Sequence, residues 1–286
     1  MSKFSAILAL VFLQGCAQKP YYGDLTYLGK LPSKLSEVSG IATFDQSRAW
    51  VLEDNGNKDI IYAINLEGKL VKEFKVKHAK NNDWEDLAKD KKGNLYIGDF
   101  GNNDNDRKNL TIYKLPNPNQ EKGSSIPAEK IEFYYPQQKE FPPSKKELLF
   151  DAEAFFHWND HLYIFTKDRS RPYLGKTLVY KVPDKKGTYE ARLIGTLNLC
   201  NEQHHCSVTG ADISKDGKTL ALLGYGYLYL IRDFELEHLS FAKISRTYLK
   251  HETQMESICF LDDSTLLIAD EQSQTKGRNL YSYKLD

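Results

Sequence analysis

The sequence predicts an all-β fold, a β-propeller of five blades, and three observations support this prediction. First, one pattern recurs five times: a polar start, a short apolar strand, a tight turn, a second apolar strand and a polar loop. The copies occupy residues 37–56, 83–103, 151–169, 209–226 and 254–271. Repeats of this size, built from short strands, are typical of propellers. Second, the chain contains 18 Tyr and 14 Phe, and aromatic residues pack well on the pleated surfaces of β-strands.

The third observation is the number of strands per repeat. Two further strand-like segments follow each of the first four copies, whereas the fifth copy is followed by one, at residues 279–285. A spare strand at residues 25–31 precedes the first copy, and pairing it with the last blade would close the ring and remove two exposed edges. Six blades are the alternative, with the extra blade concealed in residues 116–150. That stretch contains Pro116, Pro118, Pro127, Pro136, Pro142 and Pro143.

Composition indicates one large domain, which we place at residues 23–286. The chain has 286 residues, of which 41% are hydrophobic, enough for a substantial core. Lys and Arg total 39, as do Asp and Glu, so the formal net charge is +0. Because no long basic block is present, we expect no nucleic-acid partner. We expect a monomer.

The N-terminus resembles a bacterial lipoprotein signal. Lys3 precedes a short apolar run, and Leu13-Gln14-Gly15-Cys16 follows it. The run is too short for a membrane-spanning helix, so residues 1–15 are interpreted as a signal peptide. The resemblance implies lipidation of Cys16, a tether at residues 16–22 and a membrane partner. The expected location is the bacterial cell envelope, at the outer membrane, because Ala17 is not an inner-membrane retention signal. A conventional cleavage site near Cys16 is the alternative.

The other three cysteines divide into a pair and a single residue. Cys200 and Cys206 bracket a short polar loop, and exported proteins encounter oxidising conditions, so a local disulfide is predicted. A metal site that uses both cysteines with His204 and His205 is the alternative. Cys259 lies in an apolar strand and is predicted to be a buried thiol.

Propeller geometry gathers the starts of the inner strands and the ends of the second strands on one face, around the central channel. When the repeats are aligned on their apolar residues, one register position is shared by Ser39, Glu85, Glu153, Ala211 and Glu256. Three glutamates that point into one channel repel each other unless they are protonated, hydrated or bound to a cation. Oxygen ligands favour Ca²⁺. The predicted ligands are Glu37, Ser39, Glu85, Glu153, Thr209 and Glu256. Turn capping by the individual acids and a water-filled acidic channel are the alternatives.

These motifs resemble two groups of propellers. Glu37-Val38-Ser39 and the starts at Trp84, Glu153 and Glu256 are similar to blade starts of the calcium-dependent apyrases. That resemblance implies five blades, a central Ca²⁺ and nucleotidase activity, with the loop that ends at Arg169 facing phosphate. The chain also resembles the SdiA-regulated, esterase-like-phytase and NHL-like exported bacterial propellers. Thr209-Gly210-Ala211 departs from both patterns because it lacks the acid.

Two functional classes follow. The first is a lipid-anchored module that binds a small-molecule or protein ligand on the channel face, with a central calcium ion. The second is a calcium-dependent hydrolase of phosphate esters or nucleotides, so the sequence leaves open whether the protein is an enzyme. For the hydrolase, the candidate bases are Asp54, Asp99 and Asp270. Lys167 and Arg169 would face the anion.

Overall fold

The computed structural model describes residues 21–285, which form strands with very little helix. The helical segments are α1 (Gln203–Cys206) and the 3₁₀ turns Ser33–Leu35, Lys145–Glu147 and Leu236–Phe241. In chain order the strands are β1 (Thr26–Lys30), β2 (Val38–Ala42), β3 (Arg48–Glu53), β4 (Ile60–Asn65), β5 (Leu70–Lys77), β6 (Trp84–Lys89), β7 (Leu95–Asp99), β8 (Leu110–Leu115), β9 (Ser125–Pro127), β10 (Glu129–Tyr134), β11 (Asp151–Trp158), β12 (His161–Lys167), β13 (Lys176–Pro183), β14 (Gly187–Glu190), β15 (Arg192–Asn198), β16 (Gly210–Ile213), β17 (Thr219–Gly224), β18 (Tyr227–Arg232), β19 (Ile244–Tyr248), β20 (Met255–Asp262), β21 (Thr265–Asp270) and β22 (Asn279–Lys284).

These strands form five sheets, which are the five predicted blades. In chain order their strand orders are β2-β3-β4-β5-β9, β6-β7-β8-β10-β14, β11-β12-β13-β15, β16-β17-β18-β19 and β20-β21-β22-β1. The inner strands β2, β6, β11, β16 and β20 each lie beside the next, and β20 lies beside β2, so the ring is closed. Within residues 21–285 the sheets number five, which confirms the predicted count over the six-blade alternative.

Closure of the ring uses the N-terminal strand, as predicted. β1 pairs antiparallel with β22, with Thr26 opposite Ser282 and Lys30 opposite Asn279. The strand is held by side chains as well as by backbone, because Leu25 and Leu31 are buried in two different core clusters. The last blade therefore joins the two ends of the described chain and removes an open sheet edge.

The long insertion at residues 116–150 contributes edge strands rather than a blade. β9 adds to the outer edge of the first blade, parallel to β5. In the second blade β10 forms the fourth strand, and β14 from the third repeat adds parallel to it. Both additions cover backbone groups that an outer edge would otherwise expose. They involve segments distant in sequence, which is why the repeat pattern alone did not predict them.

The core consists of apolar layers between neighbouring blades. Trp50 stacks on Phe74 at 5.6 Å in the layer that also contains Trp84. β2 and β7 are buried along their whole length, including the polar residues Ser39 and Asp99. Gly40 shows how tightly the inner strands pack, since a Cβ there would lie 2.6 Å from the Leu87 nitrogen. The ring of inner strands is therefore a rigid frame for the channel face.

The cysteine predictions have separate outcomes. Cys200 and Cys206 form the predicted disulfide, and Cys259 is a buried free thiol. Cys16 lies outside the described residues, so its lipidation stays a prediction. Among residues 21–285, no helix has the length and apolar character needed to cross a bilayer.

Candidate functional site on the channel face

Glutamates mark a local irregularity in three inner strands. The pairing of β6 with β7 shifts between Trp84 and Asp86, and equivalent shifts flank Glu153 in β11 and Glu256 in β20. Each glutamate is thus the extra residue of a β-bulge, a feature that redirects a side chain and often lies next to functional sites. In the first blade the pairing of β2 with β3 shifts its register at Ser39 and Gly40. The fourth, which has Ala211 at this position, pairs in unbroken register.

Hydroxyl groups and aspartates on the inner strands connect neighbouring blades. Ser39 Oγ donates to the Glu85 carbonyl, and Thr209 Oγ1 donates to the Met255 carbonyl at 2.6 Å. Fully buried Asp86 accepts a bond from the Phe155 backbone nitrogen at 3.1 Å, across the boundary between the second and third blades. Two predicted calcium ligands, Ser39 and Thr209, therefore also serve as links between blades.

Glu153 lies in a buried cluster of ion pairs. It contacts Lys167 Nζ at 3.0 Å and the Arg169 guanidinium at 2.8 Å, and Arg169 also binds Asp151 at 2.6 Å. Burial acts to raise the pKa of Glu153, but Lys167 and Arg169 outweigh it and hold this pKa below its ordinary value. Lys167 and Arg169, which were predicted to face the anionic group of a substrate, therefore already have carboxylate partners within the protein.

A second group of acids joins the first two blades, and the cation nearest to it is Arg107, whose Nη1 lies 3.9 Å from Asp83 Oδ2. Ligand oxygens of Asp54, Asp83 and Glu85 all lie within 4.8 Å of one another. Burial, and then the neighbouring carboxylates, raises the pKa of Asp54 to about 7. Burial likewise raises the pKa of Asp83 to about 6, although Arg107 opposes it, and raises that of Glu85 well above its ordinary value. Burial is the main cause of these shifts and the neighbouring carboxylates add to it, so the group favours protons or a cation.

Two of the predicted base candidates have structural contacts. Asp99 pairs with Arg107 at 3.0 Å and accepts from the Asp83 nitrogen at 2.9 Å. Asp270 accepts from the Asn279 nitrogen at 2.7 Å and from Tyr281 OH at 3.0 Å. Such bonds fix the loops after the second strands, and of the three candidates Asp54 is the one that belongs to the acidic group.

The remaining predicted ligands lie at the fifth and first blades. Tyr225 OH donates to Glu256 Oε1 at 2.7 Å, and Asn57 Nδ2 donates to Glu37 Oε2 at 2.5 Å. Glu271 adjoins Glu256, and burial followed by this neighbour raises the pKa of Glu271 to about 10. The face therefore carries acids from the first, second, third and fifth blades.

Sequence reasoning missed three residues of this face: Asp83, Asp151 and Arg107. Asp83 and Asp151 each precede a bulge glutamate by two positions, so the spacing acid-x-Glu was a usable signal. Arg107 had no such signal, because it comes from a polar loop that folds back onto the Gly101 carbonyl at 2.6 Å.

Another acidic group has its acceptors filled. Asp90, His157 and Asp184 lie close together. Asp184 contacts His157 Nε2 at 2.9 Å and Tyr96 OH at 3.1 Å, and Asp90 accepts from two backbone nitrogens. This arrangement stabilises packing between the second and third blades.

Comparisons with known proteins identify the fold alone. No protein-family model matches the chain, and no curated protein matches it. The PQQ-bound aldose sugar dehydrogenase of Streptomyces coelicolor superposes with a TM-score of 0.54 at 9% identity, over 92% of this chain and 99% of that one. A gluconolactonase of Xanthomonas campestris, XC5397, superposes with a TM-score of 0.45 at 14% identity, over 88% of this chain and 73% of that one. YCF48 bound to a D1 peptide superposes with a TM-score of 0.42 at 10% identity, over 86% of this chain and 64% of that one. The chain is a five-bladed β-propeller, and its fold is similar to that of the dehydrogenase.

Proposed function

We propose that the chain is an exported, lipid-anchored propeller that binds a small-molecule or protein ligand on its channel face, with a calcium ion bound at that face. The observation that carries this proposal is the balance of charge. Carboxylates from four blades gather there, whereas Lys167, Arg169 and Arg107 are each engaged with a carboxylate. A face of this composition attracts cations.

Calcium is the ion that fits the donors best. The groups available are carboxylates, hydroxyls and backbone carbonyls, which are hard oxygen ligands. Once bound, the ion would offer coordination positions to oxygen atoms of a ligand. The protein's part is to hold the carboxylates on a rigid ring, as the bulges and the links between blades do.

Calcium should stabilise the protein, and more strongly at neutral than at acidic pH. The raised pKa values of Asp54 and Asp83 mean that these groups bind protons more tightly in the folded chain. Their stabilising contribution is complete below about pH 4 and is lost as the pH rises through about 6 to 7. Calcium replaces those protons. At 100 times its dissociation constant it should raise the melting temperature by roughly 5–10 °C near pH 7.5, and by less near pH 5.

The measurement is a melting curve of the mature protein in EDTA and in calcium, at both pH values. Magnesium at equal concentration is the control, because its small octahedral shell suits such sites less well. A melting temperature indifferent to both EDTA and calcium at either pH would refute the calcium part of the proposal.

The lipid anchor has an independent test. Cys16→Ser should move the protein from the membrane fraction to the soluble fraction and abolish incorporation of labelled palmitate. Cys259→Ser is the matched control, because this thiol is buried in the core and should not affect fractionation. An unlabelled wild-type protein would show that the anchor assignment is wrong.

A hydrolase of phosphate esters is the alternative function, and one observation favours it. Asp54 is partly buried with a pKa of about 7, the value expected of a general base that works near neutrality. Against it, Lys167 and Arg169 direct donors to Glu153 and Asp151 rather than to a phosphate. Calcium-dependent release of phosphate from nucleotides by the wild-type protein would establish this alternative.

A further inference from the structure

We infer that Asp54, Asp83 and Glu85 form a divalent-cation site between the first and second blades, with open coordination positions for a ligand's oxygen atoms. This inference rests on the proposed function and specifies which side chains hold the ion. It differs from the ring of ligands that the sequence predicts, because two adjacent blades supply all three carboxylates. Of the predicted ring, it retains Glu85.

Asp83 gives the first independent indication of a ligand. Its residue is only 6% exposed, yet Oδ1 has no hydrogen-bond partner within residues 21–285. The nearest cationic atom is Arg107 Nη1, which lies 3.9 Å from the other carboxylate oxygen, Oδ2. An unsatisfied buried carboxylate oxygen is costly, whereas a bound cation would satisfy it.

Gly101 gives a second observation on this group, since the absence of a side chain lets both carboxylates lie against the backbone. A Cβ at this position would lie 2.0 Å from Glu85 Oε1 and 2.6 Å from Asp83 Oδ2. The loop after β7 therefore brings bare backbone against both carboxylates. A larger residue would force the two carboxylates to shift away from the loop.

Asn81 fixes the distance between the two blades at this point. Its Nδ2 donates to the Asp54 carbonyl at 2.9 Å and to the Glu53 carbonyl at 3.0 Å. Its Oδ1 accepts from the Trp84 nitrogen at 3.0 Å, at the start of β6. One buried side chain thus connects the loop that carries Asp54 to the strand that carries Glu85, so the carboxylates are held together before any ion binds.

The chemistry of this group selects the class of ion. Three carboxylates are hard donors, and the group contains neither histidine nor cysteine, so calcium is favoured over zinc. Calcium takes about six to eight oxygens, more than three carboxylates supply in monodentate form. The remaining positions would be filled by water, and a bound ligand that carries hydroxyl or carboxylate oxygens could replace that water.

Calcium titration calorimetry on the mature protein, with terbium luminescence as a second readout, tests the assignment. Asp83→Asn and Asp54→Asn should each weaken calcium binding by roughly tenfold or more, because ligand charge sets affinity. Gly101→Ala should weaken it as strongly. Glu256→Gln distinguishes this group from the predicted ring: because Glu256 lies outside the group and acts on Asp54 through its charge, calcium binding should weaken less than in Asp83→Asn.

The outcomes separate this assignment from the proposed function. Wild-type affinity in Asp83→Asn would overturn the assignment, and if Glu256→Gln then loses calcium, the ion binds at the ring and the proposed function stands. A wild-type protein that binds no calcium would remove both. Because Asn is nearly isosteric with Asp, the Asp83→Asn variant should fold. It therefore still tests the assignment if Gly101→Ala fails to fold.

Discussion

Glu153→Gln is expected to lower the free energy of unfolding by about 3 kcal/mol or more. The substitution leaves Lys167 and Arg169 with Asp151 as the one remaining carboxylate of the cluster, so one buried positive charge is uncompensated. The side chains of Glu153 and Lys167 are only 7% and 8% exposed. Removing one partner of a buried pair costs about 3–5 kcal/mol. Urea unfolding followed by circular dichroism measures the change.

A double substitution separates charge from packing. Glu153→Gln combined with Lys167→Met removes one charge of each sign and retains the pair of Arg169 with Asp151 at 2.6 Å. Most of the lost stability should return, because no buried charge is then left without a partner. Equal instability of the single and double variants would show that packing, rather than charge, holds this part of the channel.

Leu25→Ala together with Leu31→Ala is expected to bring the protein close to unfolding under native conditions. Each buried leucine reduced to alanine costs about 2–5 kcal/mol. The two side chains lie in different core clusters, so their effects should add. The sum of roughly 4–10 kcal/mol approaches the whole stability of a typical domain, about 5–15 kcal/mol. Loss of β1 would also expose β22 as a free edge, so aggregation should accompany unfolding.

Val71→Ala is the control for this experiment, because Val71 is a strand residue with 52% exposure. It should change the unfolding midpoint little. If the double leucine variant also unfolds near the wild-type midpoint, the N-terminal strand does not close the ring in solution.

The number of blades and the closing strand were predictable because each depends on a local, repeated pattern. Five starts of similar sequence identify five inner strands, and a strand missing at one end matches a spare strand at the other. The fourth blade shows how closely sequence and backbone agree, since Ala211 replaces the glutamate and the bulge disappears with it. By contrast, β9 and β14 pair with segments remote in sequence, for which the repeats give no signal.

The shared face of the three glutamates was predictable, but the partners of each glutamate were not. The shared register placed Glu85, Glu153 and Glu256 on one face, where they lie. Which acid meets which cation depends on the loops that end the second strands, and these differ between blades. Lys167 and Arg169 therefore turn to Glu153, whereas Glu85 faces Asp54 and Asp83 beside bare Gly101. Identical register positions thus acquire opposite electrostatic surroundings.

Anomalous diffraction from crystals grown with calcium tests most directly whether the channel face holds an ion. One peak is expected between the first two blades, about 2.3–2.6 Å from oxygens of Asp54, Asp83 and Glu85. A channel face without any peak at millimolar calcium, with Asp83 hydrogen-bonded to water alone, would contradict this expectation.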